Sequence, residues 1–165
     1  GLGRLGKWMA RYGEALGMKV LFTDPKVESS NLNWKKVSFE ELIKQSDFIS
    51  IHVHLNPETE FLFNKKTMSL MKKTAYLINT SRGKIVHEGD LMTMIKQKKI
   101  AGYSADVLDG EILFTKNSCK SHPLVKFAKE YSNVIIAPHT GGMTYESRRD
   151  TDIFIANKLK KITCS

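Results

Sequence analysis

Gly1-Leu2-Gly3-Arg4-Leu5-Gly6 opens the chain and decides its fold class. A GxGxxG run of this kind ordinarily follows a strand and opens a helix, with an acidic residue about 20 positions further on. A helix is predicted here over residues 5–16, and Gly17 suits a left-handed stop after it. The next predicted strand, over residues 19–23, is followed by Asp24. The sequence therefore predicts the first turn of a dinucleotide-binding α/β domain.

The strand that should lead into this turn is missing, because nothing stands ahead of Gly1, and the chain has no initiator methionine. In a doubly wound sheet that strand is central. It would pair with the strand before Asp24 and with the predicted strand over residues 48–53. We therefore expect a piece of a longer protein, with a sheet that lacks its first strand.

Strand-like apolar runs alternate with helical patterns along the rest of the chain. The predicted strands cover residues 36–37, 48–53, 75–79, 101–106 and 134–137. The predicted helices cover residues 38–45, 64–71, 90–98, 124–131 and 144–160. Alternation with short connections predicts an α/β fold with a Rossmann-like, doubly wound parallel sheet, in one domain over residues 1–165.

Three local features accompany these elements. Ser38 followed by Glu41 predicts a capping box at the start of the second helix. In the helix over residues 64–71, Leu70 and Met71 are predicted to face inward. Residues 108–123 are predicted to form an irregular, exposed loop.

Composition and charge bound the function. The 165 residues carry a formal net charge of +9, but the lysine pairs are scattered and lie mostly near helix ends. A nucleic-acid-binding face requires basic residues clustered on one surface. No apolar run approaches the roughly 18 residues of a membrane span. Cys119 and Cys164 lack metal-ligand spacing and indicate reduced thiols in a cytoplasmic protein. We expect no nucleic acid, no membrane segment and no metal.

Three polar motifs follow strand-like runs, so a parallel sheet places all of them at its carboxyl edge, where open α/β folds bind ligands. They contain Arg82, Glu111 and His139. The planar guanidinium suits recognition of a carboxylate or carbonyl, and an imidazole gives or takes a proton near pH 7. Singly, each residue would be an ordinary loop side chain. Their shared edge predicts an enzyme active site.

Asp24 indicates which dinucleotide is bound. A carboxylate at this position accepts hydrogen bonds from a ribose diol and repels a 2′-phosphate, which favours NAD over NADP. The alternative is a structural glycine turn followed by an unrelated loop acid.

Five segments along nearly the whole chain resemble the phosphoglycerate dehydrogenase-like family of D-isomer-specific 2-hydroxyacid dehydrogenases. They are residues 1–6, 51–59, 79–83, 106–111 and 138–142. The resemblance implies the NAD-binding domain of an oxidoreductase that interconverts a D-2-hydroxy acid and a 2-oxo acid.

The resemblance also implies a role for each residue of the catalytic trio. Arg82 would bind the substrate carboxylate and carbonyl, and His139 would be the acid/base. Glu111 would hold that histidine protonated for reduction.

The same resemblance implies cofactor contacts. Arg4 and Leu5 would lie at the pyrophosphate, Asp24 at the adenine ribose and Asp106 at the nicotinamide carboxamide. The implied cofactor-binding set is Gly1, Gly3, Arg4, Leu5, Gly6, Asp24, Val53, His54, Thr59, Thr80, Ser81, Arg82, Asp106, His139, Gly141 and Gly142.

The sequence departs from the family pattern in three ways. His54 and Ile112 stand where proline is usual, and the second change is expected to loosen the loop that positions Glu111. The substrate domain, which family members build from both chain ends, is absent. The fragment alone is therefore expected to be inactive, whereas the full-length parent is expected to be a cytoplasmic homodimer. Alternatives are an NADH-sensing, corepressor-like binding protein and a non-functional truncated product.

Overall fold

Six strands, all paired in parallel, form two separate sheets in the computed structural model, which describes residues 1–28, 33–114 and 118–163. The smaller sheet pairs β1 with β2, and the larger one holds the other four strands in the order β3-β4-β5-β6. The strands are β1 (Leu21–Phe22), β2 (Lys35–Lys36), β3 (Phe48–Ile51), β4 (Tyr76–Asn79), β5 (Gly102–Ala105) and β6 (Val134–Ile136). The predicted parallel α/β sheet is confirmed.

Helices alternate with these strands. They are α1 (Arg4–Ala15), α2 (Phe39–Gln45), α3 (Lys65–Met68), α4 (Glu88–Lys96), α5 (Ser118–Ser121), α6 (Pro123–Glu130) and α7 (Tyr145–Thr163). The predicted capping box is present, since the Ser38 Oγ accepts the Glu41 N–H at 3.2 Å and the Glu41 carboxylate accepts the Ser38 N–H at 3.0 Å. Gly17 follows α1 with a φ of 76°, as predicted for a left-handed stop.

Two sequence predictions are wrong in detail. The helix predicted over residues 64–71 ends at Met68, so Leu70 is 37% exposed although Met71 is buried. The predicted loop over residues 108–123 begins with the buried Leu108 and contains a 3-10 turn at Glu111–Leu113, helix α5 and the first residue of α6. Pro123 occupies the first turn of α6, where proline favours the start of a helix, so the described part of this segment contains helical turns that its composition did not predict. Residues 115–117 and Cys164 lie outside the described residues.

Buried side chains form two clusters that follow the two sheets. The larger cluster packs around the four-stranded sheet and includes Ile43, Ile49, Met68, Leu77, Leu91, Ile95, Tyr103 and Leu124. The smaller cluster consists of Leu2, Ala10, Phe22 and Trp34. The four-stranded sheet thus carries most of the apolar burial, and the GxGxxG turn is attached to the smaller unit.

A cavity of about 610 Å³ separates the two sheets. Its lining includes residues of both facing strands, among them Phe22 of β1 and Ile49 of β3. Gly1 lies between the carboxyl ends of β1 and β3. Its nitrogen donates to the Thr23 carbonyl at 2.9 Å, and a Cβ on it would lie 2.5 Å from the His52 carbonyl oxygen. The space therefore coincides with the predicted position of the strand that leads into Gly1.

No helix among the described residues is both long and apolar enough to cross a membrane.

Filling this space should stabilise the domain. Adding Val-Ile-Val-Ile-Val ahead of Gly1 should raise the free energy of unfolding by about 2–5 kcal/mol, since the backbone groups facing the gap would find partners. In a domain of this size the melting temperature should rise by roughly 5–15 °C, measured by circular dichroism.

The matched control carries Val-Pro-Val-Pro-Val, which has the same length but lacks two N–H donors. Equal melting temperatures for the two extended chains would contradict strand pairing in the gap. The 165-residue chain itself should be marginally stable and prone to aggregation, and a sharp high-temperature monomeric transition would contradict that expectation.

Candidate active site

Hydrogen bonds across the carboxyl edge of the larger sheet link the loops that follow its strands. The Ser81 hydroxyl, after β4, donates to the Val53 carbonyl, after β3, at 2.8 Å. The Asp106 N–H, after β5, donates to the Asn79 carbonyl at 3.0 Å. The Asp106 carboxylate then accepts the Thr140 N–H, after β6, at 2.8 Å. The four loops therefore form one connected edge, as the strand pattern predicted.

The GxGxxG turn has the shape of an anion cradle. A Cβ on Gly1 would press on the His52 carbonyl, and a Cβ on Gly6 would overlap the Gly1 carbonyl, so these two glycines close the turn. Gly3 is the N-cap of α1, and a Cβ there would meet no atom within 4 Å. Because the first turn of α1 contains no acidic residue, its N–H groups and positive dipole end are available to a pyrophosphate beside Gly3.

Asp24 lies beside this turn and is held by backbone groups. Its two carboxylate oxygens accept the N–H groups of Leu2 at 2.7 Å and Lys26 at 2.8 Å. Burial alone would raise the pKa of Asp24, but the backbone N–H groups of Leu2, Lys26 and Val27, together with the charge of the Gly1 amino group, outweigh it and the pKa lies below its ordinary value. A carboxylate has about four acceptor positions, so the ionised group retains capacity for ribose hydroxyls.

The loop after β3 is shaped by Thr59. Its hydroxyl donates to the His54 carbonyl at 2.6 Å, and its N–H donates to the Asn56 side-chain oxygen at 3.0 Å. These bonds bend the segment back on itself and leave the His54 side chain exposed. Histidine in place of the usual proline is thus compatible with an ordered loop.

His139 and Glu111 are in direct contact, with the His139 Nδ1 2.9 Å from one Glu111 carboxylate oxygen. The other oxygen accepts the Leu108 N–H at 3.0 Å, which anchors the glutamate despite Ile112 beside it. Gly110 supports the turn with a φ of 72°. The expectation that Ile112 would loosen this loop is not reflected in the position of Glu111, because the anchoring bond is made by Glu111 itself.

His139 has a left-handed backbone, with a φ of 54°. Such a conformation costs about 1–3 kcal/mol in a non-glycine residue and persists only where the surroundings hold it. The Asp106 carboxylate supplies that hold by accepting the N–H groups of Thr140 and Gly141 at 2.8 and 2.7 Å. A Cβ on Gly141 would lie 2.8 Å from an Asp106 oxygen, so glycine is needed there.

Arg82 stands apart from this pair in the structure. Its guanidinium is exposed and donates to the Ser81 carbonyl at 2.6 Å. In the described part of the chain no hydrogen bond joins Arg82 to Glu111 or His139. The buried Asn79 holds this loop, because its amide donates to the Arg82 carbonyl at 3.0 Å and accepts the Ser81 N–H at 3.0 Å.

The structure brings most of the predicted site residues to one edge through backbone contacts. Four predicted site residues are exposed, and among the described residues no side-chain hydrogen bond is seen for them: Arg4, Leu5, Thr80 and Gly142. Sequence reasoning missed three residues that shape the site. Asn79 and Gly83 belong to a motif already singled out, whereas no local pattern indicates Glu88, whose carboxylate accepts the Asp109 N–H at 2.9 Å.

Comparison with known proteins identifies relatives for nearly the whole chain. Residues 1–141 match the family model described as D-isomer specific 2-hydroxyacid dehydrogenase, NAD binding domain. A glyoxylate reductase of Thermococcus litoralis is 36% identical over 163 residues, which is 96% of this chain and 46% of that protein. The chain therefore spans about half the length of the curated relatives it matches.

Two solved structures share the fold. A D-isomer specific 2-hydroxyacid dehydrogenase of Lactobacillus delbrueckii, complexed with NAD, superposes with a TM-score of 0.88 at 30% identity over 98% of this chain and 51% of that one. A D-lactate dehydrogenase of Aquifex aeolicus, complexed with NAD and lactic acid, superposes with a TM-score of 0.81 at 34% identity. The match covers 100% of this chain and 54% of that one.

Gly83 provides a test of the site geometry. Its Cα packs so closely on the peptide between Leu108 and Asp109 that any Cβ would overlap it. Gly83→Ala should therefore lower the free energy of unfolding by about 1–3 kcal/mol, measured by urea denaturation. Gly142→Ala is the control, since a Cβ there meets no atom within 4 Å, and it should change stability by less than about 0.5 kcal/mol. Equal effects would show that the two loops do not touch.

Proposed function

Since the chain belongs to the D-isomer-specific 2-hydroxyacid dehydrogenase family and matches its NAD-binding domain, we propose that residues 1–165 form the coenzyme-binding domain of an NAD-dependent dehydrogenase. The full-length enzyme interconverts a D-2-hydroxy acid and a 2-oxo acid. Its substrate pocket is completed by a second domain outside this chain. The relatives' names support this class, because they include a glyoxylate reductase and a D-lactate dehydrogenase.

The His139–Glu111 pair is the observation that carries the proposal. A carboxylate 2.9 Å from Nδ1 favours a proton on that nitrogen and leaves Nε2 to exchange a proton with substrate. His139 is 53% exposed on its side chain, so a ligand can reach it, whereas Glu111 is 20% exposed. In reduction His139 donates its proton to the carbonyl oxygen, and in oxidation it accepts the hydroxyl proton. Glu111 orients the His139 ring through this contact.

Arg82 binds the acid substrate in this proposal. Its only described side-chain bond is to the adjacent Ser81 carbonyl, so most of its five donors remain available. A guanidinium fork pairs with a carboxylate through two parallel bonds and can polarise a neighbouring carbonyl. The loop that presents it is fixed by Asn79, which is fully buried.

NAD fits the cradle formed by Gly1, Gly3 and Gly6 at the start of α1. When bound, the nicotinamide supplies or takes the hydride. Asp24 would hold the adenine ribose, and its charge would oppose a 2′-phosphate. Both carboxylate oxygens of Asp106 already accept backbone N–H groups of the His139 loop. A hydrogen bond from the nicotinamide carboxamide would therefore use the remaining acceptor positions of Asp106.

The remaining assignments are also proposals. The substrate is a small 2-hydroxy or 2-oxo acid, and the full-length enzyme is a cytoplasmic homodimer that binds neither nucleic acid nor membranes. The exposed, unpaired thiol of Cys119 fits a reducing compartment. The rival functions are an NADH-sensing binding protein and a truncated product without activity. The contact between His139 and Glu111 favours catalysis, because binding a dinucleotide alone does not need it.

Cofactor preference tests Asp24. Asp24→Asn keeps an oxygen that can accept the Leu2 N–H but removes the negative charge. The ratio of NADPH to NADH affinity should rise about tenfold or more, equivalent to roughly 1.4 kcal/mol, measured by quenching of protein fluorescence in the full-length enzyme. Glu28→Gln, which removes an equal charge from a highly exposed side chain, should leave the ratio unchanged. Tighter NADPH than NADH binding by the unmodified protein would overturn the assignment.

Turnover tests His139. In the full-length enzyme His139→Ala should reduce the rate of 2-oxo acid reduction by about 10²–10⁴-fold, the usual contribution of positioned acid/base catalysis. NADH binding should survive, because the glycine turn and Asp24 are untouched. Turnover is followed by NADH absorbance. An unchanged rate would exclude the proposed mechanism, and NADH binding without any turnover of 2-oxo acids by the unmodified protein would favour the sensor.

A further inference from the structure

Glu88 and His122 are in contact and largely buried behind the loops that carry Glu111 and His139. The Glu88 carboxylate lies 3.4 Å from the His122 Nε2, and their side chains are only 12% and 11% exposed. The Nδ1 of His122 is buried without a hydrogen-bond partner in the described residues, and its ring packs edge-on against Phe114. Because burying such groups is costly, the pair is expected to hold something in place.

The structure shows what Glu88 holds. Its second oxygen accepts the Asp109 N–H at 2.9 Å, so it grips the turn of residues 108–111 from the side of α4. Gly83 packs on the peptide between Leu108 and Asp109. Glu111 closes the same turn by accepting the Leu108 N–H. The turn is therefore held at three points, and the oxygen of Glu111 that remains is the one facing His139.

We propose that Glu88 is a positioning residue of the dehydrogenase: it clamps the turn of residues 108–111 so that the Glu111 carboxylate stays in contact with His139. The kinetic consequences rest on the proposed function, whereas the clamping of the turn does not. Glu88 touches neither Glu111 nor His139 through a described bond, so it acts through the backbone of Asp109. His122, at the start of α6, ties this clamp to the neighbouring helix.

The charges around Glu88 make the clamp sensitive to pH. Burial raises the pKa of Glu88 to about 7, and the charges of Asp109 and Glu111 act in the same direction. His87 and the Asp109 N–H oppose the shift, and the buried phenol of Tyr103 also lies within electrostatic range. An ionised carboxylate accepts an N–H more strongly than a protonated one, so the hold on Asp109 strengthens as the pH rises through about 7.

The free energy of unfolding changes with pH in the opposite direction to the strength of the Glu88–Asp109 hydrogen bond. The folded chain binds the Glu88 proton more tightly than the unfolded chain, in which the pKa is near its ordinary value of 4.5. Between about pH 4.5 and 7 the contribution of Glu88 to stability therefore falls as the pH rises. Glu88→Gln, which cannot titrate, should show a smaller loss of melting temperature over this window than the unmodified protein.

Hydrogen exchange measured by mass spectrometry on the full-length protein tests the clamp. Glu88→Ala should raise exchange of the segment around Leu108 and Asp109 by about tenfold or more. Glu88→Gln keeps an amide oxygen that can accept the Asp109 N–H and should largely restore protection. Glu130→Ala, which removes a charge from an exposed position of α6, is the control. If Glu88→Ala does not fold, Glu88→Met fills the space without an acceptor and gives the same test.

Kinetics of the same variants test positioning. Glu88→Ala should lower kcat for 2-oxo acid reduction by about 10²-fold, the effect expected of a misplacement near 1 Å, while the KM for NADH changes less than about twofold. Glu88→Gln should recover most of kcat. Unchanged exchange in Glu88→Ala would overturn the clamp, and raised exchange with unchanged kcat would overturn the positioning role. If the unmodified protein does not reduce 2-oxo acids, the proposed function fails and the exchange data alone decide the clamp.

Discussion

Parallel pairing of the strands is the constraint on which the rest of this structure depends. Since β3 to β6 all run in one direction, the chain leaves every strand at the same edge, and each functional loop begins there. Pairing aligns Asn79 with Ile51 and with Ala105, so the loops after three strands start at the same level. The Glu111–His139 contact follows from this alignment, although 28 positions separate the two residues in the sequence.

Rigidity at that edge comes from polar side chains that bind backbone rather than one another. Asn79 fixes the Arg82 loop, Asp106 fixes the His139 loop, and Glu88 grips the turn that carries Glu111. Each of these side chains forms hydrogen bonds with loop backbone groups that have no neighbouring strand to pair with. Loops held in this way would keep the proposed catalytic groups in place before a ligand arrives, which lowers the entropic cost of reaching a reactive geometry.

The two parts of the site lie on two separate sheets, with a cavity of about 610 Å³ between them. The GxGxxG turn keeps its close glycine contacts and its bond to Thr23 even with the cavity beside it. Local contacts therefore form the cradle, without pairing between the smaller sheet and the larger one. Leu2 and Phe22 pack in their own small cluster and do not join the core around Leu77.

The sequence by itself determined the order of strands and helices, the glycine cradle, the capping box at Ser38 and the placement of Glu111 and His139 on one edge. These features rest on short-range patterns: apolar runs, glycine positions and residues three or four apart. Only the tertiary structure decided that Leu70 is exposed, that Asp106 binds the loop of His139 and that Glu88 reaches Asp109. The last two contacts span 34 and 21 positions, and they form because parallel pairing brings different loops together, which no local pattern records.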